Sequence, residues 1–146
     1  MFITAAATLF AYVLTRARID VAISTLLTNV AGGNQIIFLL IVNVVLLIAG
    51  CFLDSTSALY IFTPLFVPVA KALGMSMIHF GTIMIVNLAI GLVTPPVGVN
   101  LYVACGIGKI DLKRISMAVV PLLAASLIVL LLVTYVPSLS LCLLGG

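Results

Sequence analysis

Two adjacent prolines, Pro95 and Pro96, fall inside an apolar run that extends from Gly81 to Asn100. Each removes a backbone donor and crowds the carbonyl one turn earlier, so a helix entering this run must open near Thr94. Gly91, Gly98 and Asn100 flank the pair and add to the break. The run is still apolar enough for a bilayer, where irregular backbone survives only if protein buries it or a polar cavity receives it. Broken helices of that kind are where secondary transporters hold coupling ions. The break is therefore expected to form an ion or substrate site.

The surrounding chain belongs in lipid. Of its 146 residues 65% are hydrophobic and 6% charged, against about 25% charged in a soluble domain. The apolar blocks are too long and too many for a signal peptide, and the first lacks a basic leader and a small-residue cleavage site. An all-α, multi-pass integral membrane protein is expected. Its cations, Arg16, Arg18, Lys71, Lys109, Lys113 and Arg114, mostly flank apolar segments, as do Asp20 and Asp111. They read as membrane-edge anchors and argue against a nucleic-acid partner. Three cations at each level do not orient the chain. Cys51, Cys105 and Cys142 form no CxxC pair and read as small packing residues. His79 has no partner at metal-ligand spacing, and no phosphate loop, nucleophile triad or carboxylate pair occurs. An enzyme and a cofactor are thus not expected.

Taken in order, residues 2–15 offer only about 21 Å of helix, short of a core about 30 Å thick, and residues 1–16 read as a truncated membrane helix. Residues 17–33 place Ile19, Ala22, Ile23, Leu26, Leu27 and Val30 on one stripe opposite Asp20, Ser24 and Thr28. That spacing predicts a helix lying along the membrane surface. Residues 35–53 are almost uniformly apolar, interrupted by Asn43, and Gly50 to Ser57 then forms a polar tip before the Pro64 and Pro68 arm. The 35–73 unit is either a re-entrant hairpin or two spans joined by a short turn. The broken helix covers 79–108, and 115–136 is a final span with Pro121 in its first turns.

Two constellations carry the candidate chemistry. At the tip, Gly50, Asp54, Ser55, Thr56 and Ser57 bring a carboxylate and hydroxyls between apolar arms, and intramembrane carboxylates mark function. The alternative is an Asp54 that simply caps the next helix. At the break, Thr94, Pro95, Pro96 and Gly98 offer hard oxygens to sodium, with Thr94 and Gly98 as ligands. The alternative there is a structural kink. Asn87 and Asn100 flank the break and either bind substrate or join helices. The remaining glycines, Gly81, Gly106 and Gly108 among them, read as helix-packing positions.

With these residues in place, the chain resembles the C-terminal part of the large membrane subunit of tripartite ATP-independent periplasmic (TRAP) transporters. The resemblance rests on Gly50-x-x-Leu53-Asp54, Pro64-x-x-x-Pro68, Gly74, His79-Phe80-Gly81, Asn87 and Gly91-x-x-Thr94-Pro95-Pro96-Val97-Gly98. It implies the second of two inverted elevator-type repeats, with an arm helix at 17–33, a re-entrant hairpin at 35–73 and a discontinuous helix at 79–108. It further implies import of an organic anion such as a C4-dicarboxylate or sialic acid, coupled to sodium, across a bacterial inner membrane. Sodium would sit between the tip and the Thr94 to Gly98 opening. The implied partners are a small membrane subunit, a periplasmic substrate-binding protein and a first repeat that has no counterpart in this sequence. Competing expectations are another elevator-type sodium–dicarboxylate symporter and a non-transporting membrane scaffold.

Overall fold

The computed structural model describes residues 19–141 together with Ala5, Leu9, Tyr12, Val13, Arg16 and Ala17. The expected membrane helix at 1–16 therefore lies largely outside the described residues, as does Cys142. From residue 19 onward, seven helices follow one another among the described residues: α1 (Ile19–Ala31), α2 (Gln35–Phe52), α3 (Ser55–Ala72), α4 (Met77–Gly91), α5 (Val99–Gly108), α6 (Leu112–Tyr135) and α7 (Pro137–Leu141). Two of them, α2 and α6, are long and apolar enough to cross a bilayer.

Local signals place most of the boundaries. Asn34 starts α2 by accepting the Ile36 N–H at 2.9 Å, the ordinary way to satisfy a first-turn donor. Asp54 does the same for α3. Gly74, at φ +72°, ends the turn after α3 in the left-handed region that glycine adopts without strain. At the same place the Gln35 side-chain amide donates to the Leu73 carbonyl at 2.6 Å. The beginning of α2 and the end of α3 are thereby clasped, and the two helices form a hairpin closed at its base, with Leu53 and Asp54 at its tip.

The core sits on the inner faces of α2, α3 and α4. Phe38, Val42 and Leu46 recur at helical spacing on α2 and are fully buried, against Ala58, Phe66 and Val69 of α3 and Phe80, Ile83, Met84 and Leu88 of α4. The Phe38 and Phe80 rings stack with centroids 6.0 Å apart. The opposite face of α2, with Ile36, Leu40, Val44, Ile48 and Phe52, is equally apolar yet exposed. A helix apolar all round is one built for lipid, where van der Waals packing rather than release of water holds neighbours together.

The most extensive packing is between α2 and α4. They run in the same direction, since Phe38 meets Phe80 at one end and Gly50 meets Gly91 at the other. Along α1 the stripe divides: Leu27 packs on the core, while Ala22, Leu26 and Val30 stay exposed. α1 touches α2 and α3.

Candidate functional site at the hairpin tip and the helix break

The α4 helix stops at Gly91 and the chain resumes helix at Val99. The seven residues between are ordered by their own hydrogen bonds. Leu92, Val93 and Thr94 donate backbone N–H groups to Leu88, Ile90 and Gly91, at 3.1, 3.1 and 3.0 Å. The Thr94 hydroxyl donates to the Ile90 carbonyl at 2.7 Å, which fixes its rotamer and leaves the oxygen lone pairs turned elsewhere. Beyond the prolines, Asn100 N–H returns to the Leu92 carbonyl at 3.1 Å. Among the described residues, the carbonyl oxygens of Pro96 and Val97 accept no hydrogen bond.

Two contacts bring this break against the hairpin tip. Gly98 donates its N–H to the Cys51 carbonyl at 3.1 Å, joining the break to the last turn of α2. Below that bond Gly50 and Gly91 meet backbone to backbone: a Cβ built on Gly91 would lie 2.6 Å from the Gly50 Cα. Gly98 itself sits at φ +48° as the residue before α5, a conformation that glycine alone adopts freely. The ends of α2 and α4 and the beginnings of α3 and α5 consequently converge within one small volume. Terminal carbonyls from two helices and terminal N–H groups from two others are available there.

At the tip, Asp54 is exposed and its carboxylate accepts the Ser57 N–H at 3.1 Å, so it caps α3. The capping role weighed against function in the sequence is thus present, and it leaves the second carboxylate oxygen to other partners. Ser55 is half-buried and Thr56 exposed. The Ser57 hydroxyl is buried, with no hydrogen-bond partner among the described residues. Asp54→Ala is expected to destabilise the fold by about 1 kcal/mol through loss of the cap, and Asp54→Asn, which keeps a capping oxygen, by much less. Thermal unfolding of the two variants in nanodiscs checks this.

Asn87 and Asn100 are not brought together. Asn100 is exposed on α5, whereas Asn87 is fully buried one turn before Gly91. Its side-chain N–H donates to the Asn43 Oδ1 at 2.5 Å, and Asn43 in turn donates to the Thr134 hydroxyl at 3.1 Å. The Asn87 amide oxygen receives no donor among the described residues. The sequence shows Asn43 as the interruption of α2 and gives no role to Thr134. Their signal is that they are uncharged polar residues in otherwise apolar spans.

The level of the tip is set by α6. A cleft of about 310 Å³ is lined by Cys51 and Phe52 at the end of α2, by Thr94, Pro95 and Pro96, and by Leu123 and Leu127 of α6. Leu123 lies about 16 Å along the helix from the start of α6 and about 18 Å from its end. The tip and the break thus meet the long apolar helix near its middle.

A sequence profile of the tripartite ATP-independent periplasmic transporter DctM component matches residues 1–139. The chain belongs to this family. Among curated DctM relatives, the C4-dicarboxylate TRAP transporter large permease protein of Pseudomonas aeruginosa is 46% identical over 143 residues, 98% of this chain and 33% of that protein. The isethionate TRAP transporter permease protein DctMQ of Oleidesulfovibrio alaskensis is 43% identical over 132 residues, 90% of this chain and 21% of that protein. The sialic acid TRAP transporter large permease protein SiaM of Vibrio cholerae is 36% identical over 136 residues, 93% of this chain and 32% of that protein. The chain spans about a third or less of the length of these relatives. These relatives are transporter permeases, which are not enzymes.

Proposed function

We propose that this chain forms one half of the ion and substrate site of a sodium-coupled importer of small organic anions, as the second repeat of an inner-membrane large permease. The observation that carries the reading is the Gly98 to Cys51 hydrogen bond, which seats the break against the hairpin tip. Sodium takes hard oxygen ligands. The Thr94 hydroxyl, the carbonyls of Thr94, Pro95, Pro96 and Val97, the Gly98 backbone and the Asp54 carboxylate are the oxygens to hand. The beginnings of α3 and α5, with Ser55, Thr56, Ser57 and Asn100 nearby in sequence, offer N–H groups and hydroxyls to a substrate carboxylate. The buried Asn87 amide supports the floor of the same site.

Re-entry of the hairpin belongs to this reading, and two features support it. The tip meets α6 near its midpoint, and Gln35 clasps the hairpin closed at a single level. A first repeat, a small membrane subunit and a periplasmic binding protein complete the transporter. The names of the relatives extend the range of plausible anions over C4-dicarboxylates, sialic acid and isethionate.

The test is uptake of labelled organic anion by proteoliposomes holding the assembled transporter, with the binding protein supplied outside. Uptake is expected to follow an imposed sodium gradient and to fail in choline. Asp54→Asn is expected to retain the fold and to raise the sodium concentration for half-maximal uptake about tenfold, the effect of losing about 1.4 kcal/mol. Equal uptake with sodium or choline would refute the coupling, and uptake without the binding protein would favour a different type of symporter.

A further inference from the structure

We infer that Thr134 of α6, acting through Asn43 and Asn87, is a positioning residue for the helix break. The three side chains come from α6, α2 and α4 and are 1%, 6% and 0% exposed. Their two hydrogen bonds join positions 91 and 44 residues apart in the chain. Asn43 lies on the same buried face of α2 as Leu46 and Gly50, and Asn87 lies one turn before Gly91 on α4. The glycine contact near the tip is smooth and carries no directional partner, so by itself it lets the two helices slide or roll. The amide to amide bond below it is directional. Together the two points fix both register and rotation of α2 against α4.

Thr134 holds one end of that amide. Asn43 has one acceptor and one donor group on its side chain. With the Thr134 oxygen receiving its N–H, its carbonyl oxygen faces the Asn87 N–H. Without that hydroxyl the Asn43 side-chain N–H is left buried and unpaired, and the amide turns toward other partners at the expense of its bond to Asn87. Misregister between α2 and α4 then moves the Cys51 carbonyl away from Gly98 N–H, the bond that seats the break. Thr134 is therefore coupled to residues 92–98 without touching them.

Hydrogen–deuterium exchange of the full chain in nanodiscs tests this without reference to transport. A buried interhelical bond in a membrane bundle is worth about 1 kcal/mol, about fivefold in an equilibrium. Thr134→Val, which keeps shape and removes the oxygen, is expected to speed exchange over residues 92–101 about fivefold and to leave 58–70 in the α3 core within about twofold. Thr134→Ser is expected to restore the unsubstituted rate. Acceleration shared equally by 58–70 and 92–101, or no acceleration of 92–101, would overturn the inference, since either is what local glue alone produces. If Thr134→Val does not fold, Thr134→Cys, with its weaker acceptor, must show the same localised pattern. In the assembled transporter, and resting on the sodium reading above, Thr134→Val is expected to raise the half-saturating sodium concentration about fivefold at unchanged maximal uptake. A transporter indifferent to sodium refutes that reading, and the exchange comparison then decides the positioning role by itself.

Discussion

Replacing Gly91 with alanine is expected to be the most destabilising of the glycine substitutions in the bundle. The added Cβ would lie 2.6 Å from the Gly50 Cα and 2.7 Å from the Gly50 carbonyl carbon, distances that only backbone movement relieves. Overpacking a core usually costs about 1–3 kcal/mol because side chains yield. Here nothing on either side is a side chain, so the upper end of that range, about 3 kcal/mol, is expected. The α2 and α4 helices must separate, and the Gly98 to Cys51 bond goes with them. Gly50→Ala meets Gly91 Cα at 3.0 Å instead and is expected to be the milder of the two. Gly81→Ala on the same α4 helix meets nothing within 4 Å and should be close to neutral. Thermal unfolding in nanodiscs ranks the three. Equal stability for Gly91→Ala and Gly81→Ala would mean that the two helices do not cross at these glycines.

The second large effect is expected at Thr94. Its hydroxyl hydrogen is committed to the Ile90 carbonyl at 2.7 Å, which holds the oxygen in one orientation at the opening. Thr94→Ala deletes a neutral oxygen ligand while leaving the prolines, and so the break itself, in place. Hydrogen bonds to charged groups contribute about 1.5–3 kcal/mol, and loss of a comparable ion contact corresponds to a ten- to hundredfold rise in half-saturating sodium. Thr94→Ser, which can make the same bond to Ile90, is expected to stay within about threefold of the unsubstituted transporter. Uptake measured against sodium concentration, with maximal rates compared separately, checks both. An unchanged sodium dependence in Thr94→Ala would remove Thr94 from the ligand set.

Covalent chemistry made much of this architecture readable in the sequence. Adjacent prolines followed by a glycine oppose helix, and the chain leaves α4 at Gly91 and re-enters helix at Val99. Polar residues at helix beginnings are legible too. The expected starts at residues 79 and 115 fall one turn or less inside α4 and α6, which begin at Met77 and Leu112 just after Ser76 and Asp111. Both preceding residues are of the kinds that favour the position before a helix.

What remained hidden is pairwise. Periodicity gives each helix a face but not the helix it will meet, so nothing in the sequence singled out Gly91 as the partner of Gly50 among 11 glycines. Asn43 and Thr134 are likewise joined over 91 residues, a relation that only the packed bundle creates. The α1 stripe shows the converse limit. An apolar face announces that it shuns water, and leaves open whether protein or lipid covers it.

The parallel course of α2 and α4 has an electrostatic consequence. Two neighbours pointing the same way place like poles side by side, each end carrying about half a negative elementary charge, and the glycine crossing lets those poles approach as closely as backbones allow. Side-by-side packing of this kind is self-repelling where both helices terminate, and the positive poles that begin α3 and α5 nearby offset part of that repulsion. A cation seated there would discharge the repulsion, so occupancy and cohesion of the bundle would rise together.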